Sequence, residues 1–342
     1  MRAALLPGNK EVTVTDLAEP QPGPEEVLVQ IKASAICRSD MSLYYGRPIV
    51  GGTGAGIGQI VPGHEPCGSI AAVGSGVVNL EVADRVAIHL AVGCGMCRYC
   101  LSGFRMLCPT WKCIGFDVHG GDAEYLVVPA INCMKLPDEM SFEAGALSTD
   151  LMGTLYYAQK RLNVSGTDVC VVFGLGPMGA AGIMVAKARG ATVVAIDVLD
   201  VRLEMAQKLG ADELVNSKSS DPVAAITKFT DGLGADVAID CSGNPAAQNA
   251  ALNCVGKFGR VAFIGESRET TINPSDQMIR KLLTVIGAWY FPLYEYDEIA
   301  RFIMRHKLPV EDLITHRFSI NDAPEAFRMF DQRETEKAVF VF

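Results

Sequence analysis

The stretch Asp168 to Gly179, DVCVVFGLGPMG, carries a short apolar run into a glycine-spaced turn, after which the pattern becomes helical to about Arg189. A buried strand that feeds a G-x-G-x-x-G turn and a helix is the opening of a dinucleotide-binding unit. Gly174 makes the tight turn, and Gly176 lets a pyrophosphate approach the backbone. Gly179 allows close helix–strand contact. With Pro177 and Met178 the turn opens a helix whose free N–H groups and dipole favour anions. The fingerprint also requires an acid about 20 residues on. Asp197, which ends the run VVAID, is in that place. A carboxylate there hydrogen-bonds the ribose hydroxyls and repels a 2′-phosphate, selecting NAD over NADP. The first basic residue after it is Arg202. The bland alternative is an ordinary strand–turn–helix with Asp197 as a helix cap, but strand, helix and acid all stand where a nucleotide site needs them.

Outward from this stretch, apolar strands alternate with helix-length segments: strands at 191–197, 213–217, 235–243, 259–265 and 283–290, with helices through Lys208 and near 221–231 and 246–256. That alternation predicts a doubly wound parallel sheet covered on both faces. The first 150 residues differ. Runs at 25–36, 68–77, 84–92 and 123–130 are β-rich and broken by Gly, Pro and Asp, as in a small irregular β domain. From about 291 the chain returns to charged helices and ends on a short strand, EKAVFVF. The expected organisation is α/β, with residues 1–150 and 291–342 forming one domain and 151–290 inserted as the other. The glycine-rich stretch 51–58 has no strand before it and no helix after it, and reads as a mobile loop that at most lines a substrate entrance.

Cys94, Cys97, Cys100 and Cys108 form C-x2-C-x2-C-x7-C within a lobe at about 93–109. Four thiols at this spacing can wrap one tetrahedral zinc, and a closed four-sulfur site shapes backbone rather than doing chemistry. Disulfides and an iron–sulfur cluster are the rival readings. Ferredoxin runs are usually repeated in small domains, and neither condition holds here. Eleven cysteines follow an N-terminus, MRAALLPGNKEV, whose apolar run is too short for a signal peptide, so reduced thiols and a cytoplasmic setting are expected. A net charge of −9 with no basic cluster argues against nucleic acid as a partner. No apolar stretch approaches a membrane span of about 18 residues.

Cys37 ends a strand three residues before Asp40, and His64 and Glu65 sit at a turn before a glycine-rich strand. A thiolate, an imidazole and an oxygen from a third residue would make a three-ligand zinc site with an open position. Either residue alone is more often a packing residue.

Here the chain resembles the zinc-containing medium-chain dehydrogenase/reductases, among them alcohol, polyol and threonine dehydrogenases. The segment His64–Val77, the four-cysteine loop, D-R-V at 84–86, the stretch 120–125 and the glycine turn match that family in order across the whole chain. The resemblance implies a GroES-like catalytic domain beside the nucleotide-binding domain, and two zinc ions per subunit. One zinc would be structural, on the four cysteines. The other would be catalytic, on Cys37, His64 and Asp150 with Glu65 adjacent or exchangeable. Asp150 stands where relatives carry Cys or Glu, and its plain reading is a helix-cap carboxylate. Ser39 matches the relay hydroxyl, while Ser42 replaces the His that often continues it; His89, Tyr44 and Tyr45 are candidate substitutes. NAD would also touch the segments around Cys241-Ser242, Ile264-Gly265 and Ala288-Trp289. Trp111, Phe116, Trp289 and Tyr44 could give the pocket an aromatic wall, or be core. The implied activity is oxidation of a secondary alcohol, polyol or sugar-derived first and an L-threonine-like amino alcohol second. A homo-oligomer is implied, a tetramer ahead of a dimer. A zinc-free reductase and a non-enzymatic NAD-binding protein are the competing classes, and both sit badly with Cys37, Ser39, His64 and Asp150 together.

Overall fold

The computed structural model describes residues 1–47 and 57–342, so most of the glycine-rich stretch 51–58 lies outside the described residues. The chain divides into two compact units: Met1–Asp150 with Phe291–Phe342, and Leu151–Tyr290.

The second unit is the α/β part. Its elements are β1 (Val169–Phe173), α1 (Pro177–Ala188), β2 (Thr192–Asp197), α2 (Asp200–Lys208), β3 (Glu213–Asn216), α3 (Pro222–Phe229), β4 (Ala235–Asp240), α4 (Pro245–Cys254), β5 (Val255–Phe263) and β6 (Thr284–Gly287). The six strands are parallel in the order β3-β2-β1-β4-β5-β6. The order reverses between β1 and β4, which opens a crevice at the carboxyl ends of those two strands. The strands are near-continuous apolar runs because both faces are covered: Val171, Phe173, Val194, Ile196, Ala238 and Val261 are all buried. Caps mark the helix starts. Asp221 accepts from Val223 N at 2.9 Å and Asn244 from Ala246 N at 2.8 Å, and a proline follows each. β5 begins at Val255, four residues before the expected 259, because Ala235 of β4 pairs with Val255 across a register shift.

The first unit is built on a seven-stranded sheet. Strand Glu26–Ala35 pairs antiparallel with Glu65–Val73, with Tyr125–Pro129 and with the last strand, Lys337–Val341. Its core holds Val27, Val29, Ile31, Ile70, Val86 and Ile88. The N-terminal hairpin Arg2–Gly8 and Glu11–Asp16 was not expected from sequence; Pro7 and Gly8 mask the strand signal. Among the described residues no helix is long and apolar enough to cross a membrane.

Candidate functional site

Register assembles the first cluster. Ala35 pairs with Glu65, and Val339 pairs with Ala35. Cys37, two residues beyond Ala35, His64, one residue before Glu65, and Lys337 are thereby delivered to one end of three adjacent strands. Glu65 is the first residue of its strand rather than part of the preceding turn, and its side chain is buried. Gly63 supplies that turn: its φ is +91°, and a Cβ there would stand 2.2 Å from Asp122 Oδ1. Asp150 opens helix Asp150–Arg161, just after helix Phe142–Leu147. The latter packs closely on the sheet, since a Cβ on Gly145 would lie 2.6 Å from Cys67 Sγ.

Sγ of Cys37, a ring nitrogen of His64 and carboxylate oxygens of Glu65 and Asp150 all lie within 4.8 Å of one another. Asp150 Oδ2 is 3.7 Å from Cys37 Sγ and 3.6 Å from His64 Nε2. Tetrahedral zinc with bonds of about 2.0–2.3 Å separates its ligands by about 3.4–3.8 Å, so sulfur, nitrogen and oxygen fit that ion in both spacing and chemistry. His64 Nδ1 faces Asp40 Oδ1 at 2.8 Å, which turns Nε2 into the cluster. Asp40 Oδ2 also accepts from Cys37 N at 2.8 Å, so one buried carboxylate orients two candidate ligands. Ser39 Oγ is 3.3 Å from His64 Nε2.

Glu65 Oε1 accepts from Lys337 Nζ at 2.7 Å, while its Oε2 is buried with no hydrogen-bond partner among the described residues. Both side chains are almost wholly buried, at 3% and 1% exposure. An orphaned carboxylate oxygen beside three candidate ligands is a place where a cation belongs. Lys337 went unnoticed in the sequence; its one signal is a lysine opening an otherwise apolar strand.

The electrostatics agree with a metal site. Burial disfavours a charged His64, yet Asp40 and the bonds to Asp150 and Cys37 outweigh burial and hold its pKa well above the ordinary value. Burial raises Cys37, with His64 pulling the other way. Burial also raises Asp150, but His64 reverses this and leaves it below the usual carboxylate range. Burial lifts the Glu65 carboxyl above its ordinary value against the pull of Lys337. Lys337 stands above its own ordinary value because Glu65 and Cys37 outweigh burial, so its charge is retained. Phe116 closes one side, its ring 5.3 Å from that of His64.

The other relay candidates are engaged elsewhere. His89 is fully buried, with Nε2 3.2 Å from Phe291 O and Nδ1 accepting from Ala91 N, and burial pushes its pKa down to about 4. Tyr45 donates to Asp331, and Tyr44 stacks on Phe327 at 5.8 Å. Trp111 is half-buried and Trp289 is 45% exposed, the latter in the second unit. Cys67, Cys113, Cys170 and Cys254 are buried, whereas Cys133 and Cys241 are only partly so; Cys241 begins the loop after β4.

Cys94, Cys97, Cys100 and Cys108 bring their four sulfurs within 4.8 Å of one another. All eleven cysteines carry free thiols. Cys108 Sγ accepts from Cys94 N at 3.4 Å and Cys94 Sγ from Cys97 N at 3.3 Å. The Cys94 N–H, assisted by Thr110, holds Cys108 down to about 6, which favours the thiolate a metal needs. Burial pushes Cys100 up to about 12. One closed four-sulfur site suits zinc.

In the second unit the glycine turn has the geometry a pyrophosphate needs. Gly174 has φ +80°, and a Cβ on Gly179 would fall 2.0 Å from Gly174 O. Gly176 caps α1 with extended backbone and Pro177 follows at its first position; Met178 is half-buried. Asp197 Oδ2 accepts from Leu175 N at 2.6 Å, and Oδ1 from Val198 N and Leu199 N, so the acid is locked to the turn. Arg202 Nη1 stands 3.8 Å from Asp197 Oδ2. Cys241 N donates to Phe173 O, Ile264 N and Gly265 N to Asp240 O, and Ala288 N to Phe263 O. These contacts join the segments after β4, β5 and β6 to the carboxyl ends of the strands.

Zinc must displace a proton from His64, whose pKa is raised, so zinc affinity should climb as pH rises through and beyond the ordinary histidine range. Chelator competition at pH 6 and pH 8 should show at least about tenfold tighter binding at pH 8, with proton release; equal affinity would contradict the ligand assignment. Lys337→Met strands the buried Glu65 charge and should cost about 3–5 kcal/mol in denaturant unfolding. Adding Glu65→Gln to that variant should restore most of the loss.

Residues 177–305 match the zinc-binding dehydrogenase family, and residues 23–138 match the alcohol dehydrogenase GroES-like domain. An uncharacterized zinc-type alcohol dehydrogenase-like protein, YphC of Escherichia coli, is 37% identical over 100% of this chain and 99% of its own. L-threonine 3-dehydrogenase of Pyrococcus horikoshii is 35% identical over 94% of this chain and 92% of its own. Among solved structures, galactitol-1-phosphate dehydrogenase from Escherichia coli superposes with a TM-score of 0.90 at 28% identity, covering 100% of both chains. The chain belongs to the zinc-containing medium-chain dehydrogenase/reductases, an α/β family with a GroES-like domain and a nucleotide-binding parallel sheet.

Proposed function

We propose that this chain is an NAD-dependent oxidoreductase that interconverts a secondary alcohol, polyol or sugar-derived, with its ketone. The observation that carries the reading is the convergence of Cys37, His64 and Asp150 around one point, with the orphaned oxygen of Glu65 beside it. One zinc would be held there and a second by the four-cysteine lobe. Bound zinc supplies a Lewis acid that lowers the pKa of a substrate hydroxyl, and the nicotinamide supplies the hydride acceptor.

The chain's own groups do the rest. Ser39, adjacent to His64, would take the hydroxyl proton and pass it to Ser42, or to a ribose hydroxyl that a bound nucleotide would supply. Asp40 fixes the imidazole tautomer. Lys337 offsets the charge of Glu65, so a cluster of three potential anions does not repel an ionising substrate. Phe116 narrows the water around His64. Asp197 takes the adenosine ribose, favouring NAD, and the glycine turn takes the pyrophosphate.

An oxygen ligand in third place suits substrates with a second polar group, and the similarity to galactitol-1-phosphate dehydrogenase supports a polyol class. The second reading is a β-hydroxy amino acid, favoured by the L-threonine 3-dehydrogenase relatives. The free thiols suit the cytoplasm. The edge strand β6 is the place where copies would pair into a dimer and then a tetramer.

Removal of metal by a chelator should abolish turnover and leave NADH affinity unchanged; full activity in a verified zinc-free sample contradicts the mechanism. On a panel of polyols, sugar-derived alcohols and L-threonine with NAD and NADP, the highest kcat/KM is expected for a polyol with NAD. A clear lead for L-threonine would establish the second reading.

A further inference from the structure

We infer that Asp240, acting through Gln248, is the positioning residue for the nicotinamide half of the nucleotide site. This rests on the proposal that the chain binds NAD(H). The crevice opens between β1 and β4, and Asp197 at the end of β2 marks the β1–β3 side as the adenosine half. The nicotinamide therefore falls to the side built by β4, β5 and β6, whose walls are the loops after β4 and β5.

Asp240 is the last residue of β4 and is completely buried. Its Oδ1 accepts from Ser242 N at 3.0 Å and from Ser242 Oγ, and its Oδ2 accepts from Gly243 N at 3.1 Å and from Gln248 Nε2 at 3.1 Å. Its backbone carbonyl takes Ile264 N at 2.9 Å and Gly265 N at 3.0 Å. Gln248, the fourth residue of α4, donates also to Gly265 O at 3.2 Å, and its side-chain oxygen accepts from Thr270. The side-chain bonds of Asp240 run to the loop and to α4 rather than to neighbouring strands, so they shape the crevice wall more than they hold the sheet.

The loops it ties meet backbone to backbone. A Cβ on Gly265 would fall 2.0 Å from Gly243 N, and one on Gly174 would fall 2.6 Å from Ser242 Cβ. With no side chain between the loops to adjust, the direction of the carboxylate sets where the 241–243 backbone stands. Hydrogen bonds to a buried carboxylate are strong and directional, which suits that task.

The test uses the full chain and two variants. Asp240→Asn places an NH2 group where Oδ2 received two donors; Gln248→Met keeps the volume and removes the bridge. NADH affinity is read by fluorescence titration, and AMP affinity, which reports the adenosine half alone, by calorimetry. Asp240→Asn should weaken NADH by roughly tenfold to a hundredfold, the loss of hydrogen bonds to a charged group, and leave AMP affinity and zinc content unchanged. Gln248→Met should show the same selectivity with a smaller loss, and it decides the matter if Asp240→Asn does not fold. Equal weakening of NADH and AMP makes Asp240 a scaffold residue and overturns the inference, as does unchanged NADH binding. A parent chain that binds no NADH overturns the functional reading itself, and the inference with it.

Discussion

The antiparallel register that sets Ala35 opposite both Glu65 and Val339 is the constraint on which the metal cluster depends. It gathers a thiol, an imidazole, a carboxylate and a lysine from residues about three hundred apart in sequence. Burying Cys37, Glu65 and Asp150 together is unfavourable unless their charge is met, because desolvated anions repel one another and lose hydration. Lys337 meets one of these charges and Asp40 steadies the imidazole; a divalent ion would meet the others. A slip of one residue would turn every side chain of the strand to the opposite face and dissolve the site.

The two candidate centres are made in different ways. The metal cluster is a constellation of side chains, held by hydrogen bonds such as His64 Nδ1 to Asp40 and Lys337 to Glu65. The nucleotide crevice is made largely of backbone: Gly174, Gly179, Gly243 and Gly265 sit where a Cβ would strike a neighbouring loop. Carboxylates then fix these loops, Asp197 on the turn after β1 and Asp240 on the loop after β4. Chemistry that needs charge uses side chains, whereas close approach to a pyrophosphate needs bare amides.

The parts legible in sequence were those whose physics is local. DVCVVFGLGPMG states its strand, turn and helix in twelve residues, and the four-cysteine run states its ligand set through spacing alone. Cys37, His64 and Asp150 could be picked out one by one, but their meeting depends on sheet register and on helix Phe142–Leu147 packing at Gly145, which no local pattern encodes. Lys337 was invisible for the same reason: a lysine in a terminal strand looks like an edge charge until its partner across the sheet is known. Conversely, His89, Tyr44 and Tyr45 looked available as proton carriers, and each is committed to a partner away from the cluster. Asp240 falls inside the expected strand 235–243, and nothing local marks it as the anchor of two loops; the strand in fact ends on it.

On the reading proposed here, each chain would hold two differently liganded zinc ions, one of them on a mixed sulfur, nitrogen and oxygen set. X-ray absorption at the zinc edge, combined with metal quantitation on protein purified without added chelator, tests this directly. The account predicts two zinc ions per chain and a spectrum that combines one all-sulfur shell with one shell of a single sulfur and otherwise nitrogen and oxygen. A single zinc per chain with only sulfur neighbours would contradict it.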